Sequence, residues 1–197
     1  MEKKAIQEQR TKGYFIDAAK ALLKGEGLSA VSVRSVSDKA GYSYATLYNY
    51  FKDLNELIFE CVRDFQAECE TAVISQVGKS EQGKSKIKAT VMAYVQYFTE
   101  YPGIFELFFL ERMRKIGNKQ SISELIYTFL DKLCDPHWDY CIAQKIYSRE
   151  SAEKKKLQLR FCVMGMLLFY QNRFQPENYN DFVKLLDNQV EEIINQV

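Results

Sequence analysis

Proline is scarce in this chain, with 3 residues, and glycine supplies only 9 of 197. A fold of many short strands needs frequent turns, so this scarcity argues against a many-stranded sheet and for long helices. No apolar run approaches the roughly 20 residues needed to span a bilayer; the longest, near Phe161 to Tyr170, is too short. The first ten residues, MEKKAIQEQR, lack the apolar core of a secretion signal. A cytoplasmic protein without membrane contact is expected. An excess of one charge is missing too, since 27 Lys and Arg face 26 Asp and Glu. A nucleic-acid site would therefore have to be a local patch.

Paired cysteines are also lacking. Cys61, Cys69, Cys134, Cys141 and Cys162 are odd in number and form no Cys-x-x-Cys. Buried thiols are expected rather than a disulfide framework. The single histidine, His137, stands in DPHWD. One imidazole between two carboxylates is a weak metal set, and a turn anchored by Trp138 is the expected reading. No nucleophile, base and orienting group stand together, and no Gly-rich phosphate loop appears. No catalytic residue, cofactor or metal is expected.

What is present is a 47% hydrophobic chain with helical periodicity almost throughout. Phe15, Ala19, Leu22 and Leu23 mark a first helix from Ile6 to about Lys24. Ser32 caps a second over Val33 to Ala40, which Gly41 ends. Ser43 caps a third over Tyr44 to Phe51, and Asp53 a long fourth from Leu54 to about Val77. The polar stretch GKSEQGKSK follows. Further helices are expected over Ile87 to Tyr101, from Pro102 through GIFELFFLERMRK, over Ser121 to Leu133, briefly through Ile146, over Ala152 to Arg173, and over Tyr179 to Val197. The fold class is all-α: a three-helix head, residues 1–53, joined by the long fourth helix to a larger helical-bundle body, residues 54–197.

Two short helices about a glycine turn, preceded by a supporting helix, are the helix-turn-helix layout. Leu47 and Phe51 face inward with Val36 and Ala40, which leaves Tyr44, Tyr48 and Asn49 outward. A tyrosine offers a hydroxyl to phosphate and a ring to the thymine methyl; asparagine can bond adenine edges. Arg34 and Lys52 flank the pair, and Lys3, Lys4, Arg10 and Lys12 suggest a basic N-terminal arm.

The stretch FIDAAKALLKGEGLSAVSVRSVSDKAGYSYATLYNYFKDLNELI, within Thr11 to about Glu60, resembles the DNA-binding domain of the TetR family of bacterial transcriptional regulators. The matching elements are Asp17-Ala18-Ala19, Gly27, Ser32-Val33-Arg34, Ala40-Gly41, Ser43, Thr46-Leu47-Tyr48, Phe51 and Leu57. The resemblance implies that Ser32 and Arg34 meet phosphate, and that Tyr44 and Ala45 open a recognition helix that Ser43 begins. It implies that Thr46 and Tyr48 reach phosphate or base methyls and that Asn49 does either. Tyr50 stands where the family often has histidine. Val31 and Leu54 replace a frequent threonine and lysine, with Lys52 a nearby cation.

For the body the resemblance implies a homodimer and often a ligand pocket. The last helix carries a clean apolar stripe, and LQLRFCVMGMLLFY before it is apolar almost all round. Phe161, Gly165, Leu168, Leu186, Val190, Ile193 and Ile194 are the expected interface. Mid-body aromatics suggest either core packing or a pocket for an apolar or aromatic effector, with Phe65, Tyr94, Tyr97, Phe98, Phe105, Phe109, Met113 and Tyr127 as candidate lining. The functional expectation is a ligand-responsive repressor that binds double-stranded DNA at a palindromic operator. A helical small-molecule-binding protein without DNA binding is the alternative, since residues 1–60 hold nine basic against eight acidic residues. A small helical enzyme is a third reading.

Overall fold

The computed structural model describes residues 2–78, 80–110, 124–172 and 175–196, and among them there is no strand. The helices are α1 (Glu2–Glu26), α2 (Val33–Ala40), α3 (Tyr44–Tyr48), α4 (Leu54–Val77), α5 (Lys84–Glu100), α6 (Pro102–Phe105), α7 (Phe129–Ala143), α8 (Arg149–Gln171) and α9 (Tyr179–Asn195). A short 3-10 turn, Leu28–Ala30, precedes α2, and a π-helical turn, Glu106–Leu110, continues α6. No helix among the described residues is long and apolar enough to cross a membrane.

The chain forms two compact units: residues 1–67 with 101–126, and residues 68–100 with 127–197. The division between the units falls within α4. In the first unit the stripe read from α1 is the core: Phe15, Ala19 and Leu23 are fully buried, with Val36, Leu47 and Leu57 from the next three helices. The Phe15 and Phe51 rings meet edge-on at 6.4 Å.

In the second unit α9 buries Phe182, Leu186, Val190 and Ile194 completely or nearly so. Tyr170 of α8 stacks on Phe182 at 4.2 Å. The far end of α9 is held by side chains from α8 and the preceding loop. The Tyr147 hydroxyl donates to the Ile194 carbonyl at 2.6 Å, and the Lys155 ammonium donates to the carbonyls of Ile193 at 2.7 Å and Gln196 at 2.9 Å. These are carbonyls that a helix end leaves without partners.

One expected interruption is absent. DPHWD is not a turn: Pro136 lies inside α7. A proline there removes a single backbone hydrogen bond. Trp138, 1% exposed, and the buried Cys134 and Cys141 hold the helix across it. The expected basic arm is likewise helical, since α1 begins at Glu2. α3 is shorter than expected, ending at Tyr48, although Phe51 is buried as anticipated.

Candidate nucleic-acid interface

The turn between α2 and α3 is built by hydroxyls and one glycine. Ser32 Oγ accepts from the Ser35 amide at 3.0 Å while Ser35 Oγ accepts from the Ser32 amide at 2.9 Å. This reciprocal box satisfies donors that a helix start otherwise leaves open. Gly41, at φ 75°, ends α2 in the left-handed region, where a side chain is strained. Its amide donates to the Asp38 carbonyl at 3.3 Å. Ser43 restarts the chain as a helix by accepting from the Thr46 amide at 3.2 Å. Asp53 repeats the device for α4: its carboxylate accepts from the Glu56 amide at 2.9 Å, and Glu56 accepts from the Lys52 amide at 2.7 Å.

The caps orient α3 so that Leu47 is wholly buried, while Tyr44 and Tyr48 are 47% and 55% exposed. Ser43, Ala45 and Asn49 are exposed with them, and Thr46 and Tyr50 are half-buried. The Tyr50 ring lies 6.2 Å from that of Phe15. Thr46 Oγ1 is 2.9 Å from Ser43 Oγ, so the two hydroxyls share a hydrogen bond at the helix start. The exposed face of α3 thus presents two phenols, an amide and a hydroxyl pair.

A second aromatic pair joins this region. Tyr14 of α1 stacks on Tyr42 of the turn, with centroids 6.1 Å apart, and both rings are exposed. Sequence reasoning passed over Tyr14. Its position beside the buried Phe15, hence on the outer side of α1, was the available signal.

The cations are distributed unequally. The Arg34 side chain is 82% exposed, with its Nε 3.8 Å from an Asp38 oxygen. An exposed pair of this kind holds a guanidinium weakly. Lys52 and Lys39 are also exposed. Lys12, expected in the basic arm, is instead tied to Glu60 at 3.0 Å and lies over the Phe51 ring. Lys20 is paired with Asp64 at 3.2 Å. These two lysines brace α1 against α4.

The candidate effector residues divide between the units. Phe65 and Phe105 are fully buried in the first, where Phe109 lies 5.2 Å from Phe105. Tyr94, Tyr97 and Phe98 are buried in the second, with the Tyr94 ring 4.8 Å from Phe98 and 5.8 Å from Phe129. Burial pushes the Tyr94 hydroxyl well above the usual tyrosine range. Tyr127 is half exposed beneath the Arg160 guanidinium, 4.0 Å away. Met113 lies outside the described residues.

The expected interface residues sort by face. Phe161 and Leu168 of α8 are 61% and 41% exposed, Phe169 and Leu157 are exposed beside them, and a side chain at Gly165 would meet open space. Leu186, Val190 and Ile194, also expected there, are buried in the core of the second unit. On α9 the apolar surface belongs to Leu185, 47% exposed, and to the half-buried Ile193.

The thiols are inert in their surroundings. Four of the five are buried, and burial pushes the Cys61 thiol up to about 12. Cys69 and Cys134 are raised for the same first cause. At neutral pH each keeps its proton and is a poor nucleophile.

Comparison with known proteins places this geometry. Residues 15–61 match the sequence profile of the bacterial regulatory proteins, tetR family. An uncharacterised HTH-type transcriptional regulator of Haemophilus influenzae is 27% identical over 109 residues, which are 55% of this chain and 53% of that protein. The chain thus spans about half the length of that curated relative. The fold is similar to the transcriptional regulator FadR from Bacillus subtilis, solved in complex with stearoyl-CoA, at TM-score 0.73 and 14% identity over 93% of this chain and 98% of that one. It is also similar to a TetR family transcription regulator from Marinobacter aquaeolei VT8, at TM-score 0.63 and 16% identity over 98% of each chain. Residues 15–61, which hold the capped turn and the exposed face of α3, are therefore a helix-turn-helix domain of the tetR family.

Proposed function

We propose that this protein is a ligand-responsive transcriptional repressor that binds a palindromic DNA operator as a homodimer. The observation that carries the reading is the α3 face, where Tyr44, Tyr48 and Asn49 stand exposed on a helix whose other side is anchored by Leu47 and Phe51. In this reading α3 enters the major groove. Tyr44 and Asn49 meet base edges, Ala45, Thr46, Tyr48 and Tyr50 meet base methyls or phosphate, and Ser32, Ser43, Arg34 and Lys52 hold phosphates.

The exposed apolar surface of α8 supports the homodimer. Leu157, Phe161 and Ile193 border a groove of about 460 Å3 between α8 and α9, with Leu168, Phe169 and Leu185 exposed on the same two helices. Apolar surface of this extent on two adjacent helices is what a two-fold interface covers. A dimer presents two heads to half-sites one helical turn apart, roughly 34 Å. Response to an effector follows if the effector favours the arrangement of heads that does not fit the operator; tight binding alone shifts nothing. The mid-body aromatics and the stearoyl-CoA bound to the Bacillus subtilis neighbour support an effector with an apolar body.

The test is an electrophoretic mobility shift against the DNA upstream of the protein's own gene. Specific binding that weakens steeply with salt is expected, because phosphate neutralisation releases counterions. Equal affinity for that DNA and random DNA at every salt concentration favours the small-molecule-binding alternative.

A further inference from the structure

The second unit contains a cleft of about 280 Å3 between the C-terminal part of α4, the start of α5 and the middle of α7. We infer that this cleft binds a small monoanion with an apolar body, typified by a medium-chain carboxylate, and that His137 and Lys132 hold its charged head. The site stands on the second unit alone and does not depend on DNA binding.

Its walls are apolar. Val73 and Val77 are buried behind it, Ile74 lines it while 63% exposed, and Leu133 faces them from α7. His137 lines the cleft, and its Nδ1, itself shielded from solvent, makes no hydrogen bond among the described residues. A buried, unpaired nitrogen is costly unless something satisfies it.

The charges at the cleft favour an anion. Glu70 of α4 is the one acid lining it, against Lys86 of α5 and Lys132 of α7. Lys86 is already committed: its ammonium donates to the Val77 carbonyl at 2.7 Å and reaches those of Gly78 and Ser80 at 3.4 Å. Lys132 is exposed and can turn to a ligand. Burial first, and the Lys86 charge second, hold His137 below the usual histidine range. An imidazole so placed is neutral at pH 7. A bound carboxylate reverses that balance, because an anion favours the imidazolium, so binding takes up a proton and strengthens as pH falls. The volume lies at the small end of ligand sites. A long acyl thioester does not fit, and an eight-carbon acid does.

His137 is the only histidine, so its ring protons report the site without assignment ambiguity. The experiment follows them by NMR across pH in the full chain, alone and with sodium octanoate, 1-octanol or octylamine. Octanoate is expected to raise the His137 midpoint by about one unit, equivalent to tenfold tighter binding to the protonated form. Octanol should leave it in place. Lys132→Gln should weaken octanoate binding, and His137→Ala should abolish its pH dependence. An unmoved midpoint with octanoate overturns the proposal, as does an equal shift with octanol or a preference for octylamine. Should His137→Ala fail to fold, the Lys132→Gln comparison on the native histidine decides alone. Lys132 is exposed, so that variant retains the fold, and unchanged octanoate affinity in it refutes the site.

Discussion

A methyl group placed on Gly103 would sit 2.2 Å from the Leu23 carbonyl oxygen and 3.2 Å from that of Lys24. The first turn of α6 thus rests directly on the last turn of α1, backbone against backbone, within the first unit. Pro102, at the start of α6, has no amide to leave unpaired there. Gly103→Ala must push these backbones apart, and overpacking of this kind typically costs about 1–3 kcal/mol. The melting temperature should fall by several degrees. Thermal unfolding followed by circular dichroism checks this, and an unchanged midpoint would mean α6 yields freely.

The roles assigned around α3 separate by chemistry. Arg34→Ala and Lys52→Ala should weaken binding to all duplexes alike, since phosphate contacts carry no sequence information. Tyr44→Ala and Asn49→Ala should change preference among sequences by roughly 1–3 kcal/mol where a base contact is lost. Fluorescence anisotropy on matched and mismatched duplexes distinguishes the two patterns.

Local signals in the chain were read correctly where local chemistry decides. Ser32, Ser43 and Asp53 each cap the helix they precede, because a side-chain oxygen beside free amides needs no distant partner. The long α4 and the apolar stripe of α9 follow from spacing alone. DPHWD misled because proline speaks for a break, while Trp138 and Cys134 outweigh it through burial that spacing does not reveal. The expectation for α9 met a related limit. Periodicity identifies an apolar face but not its partner; Leu186, Val190 and Ile194 turned to their own core, and Leu185 stayed outside. The Tyr14–Tyr42 pair and the His137 cleft join residues far apart in the chain, which no local pattern records.

Lys155 is 4% exposed, and its ammonium caps α9 in the bonds to Ile193 and Gln196 while lying over the Tyr147 ring. Lys155→Met keeps the stem and removes both bonds. A loss of about 2–3 kcal/mol is expected, in the range for hydrogen bonds to a charged group. Urea denaturation measures the loss, and faster amide exchange in the last turn of α9 should accompany it.

The exposed surface of α8 predicts the oligomer. Phe161→Glu and Ile193→Glu each place a carboxylate in the groove between α8 and α9. In a dimer built on this face both should dissociate to monomers at micromolar concentration while remaining helical, since Phe161 is exposed and Ile193 half-buried within the monomer. Operator affinity should fall with the dimer, because linked heads gain from effective concentration. Sedimentation velocity on wild type and both variants reads this directly; a wild type that sediments as a monomer places the interface in doubt.

The central claim is that the α3 face reads DNA sequence, and selection from a randomised duplex pool tests it most directly. The wild-type protein is incubated with the pool at physiological salt, and the retained duplexes are sequenced over successive rounds. The account predicts enrichment of a two-fold symmetric sequence with half-sites about one helical turn apart, and an altered half-site with Tyr44→Ala. Retention without enrichment of any sequence, or the same sequence selected by wild type and Tyr44→Ala, would contradict it.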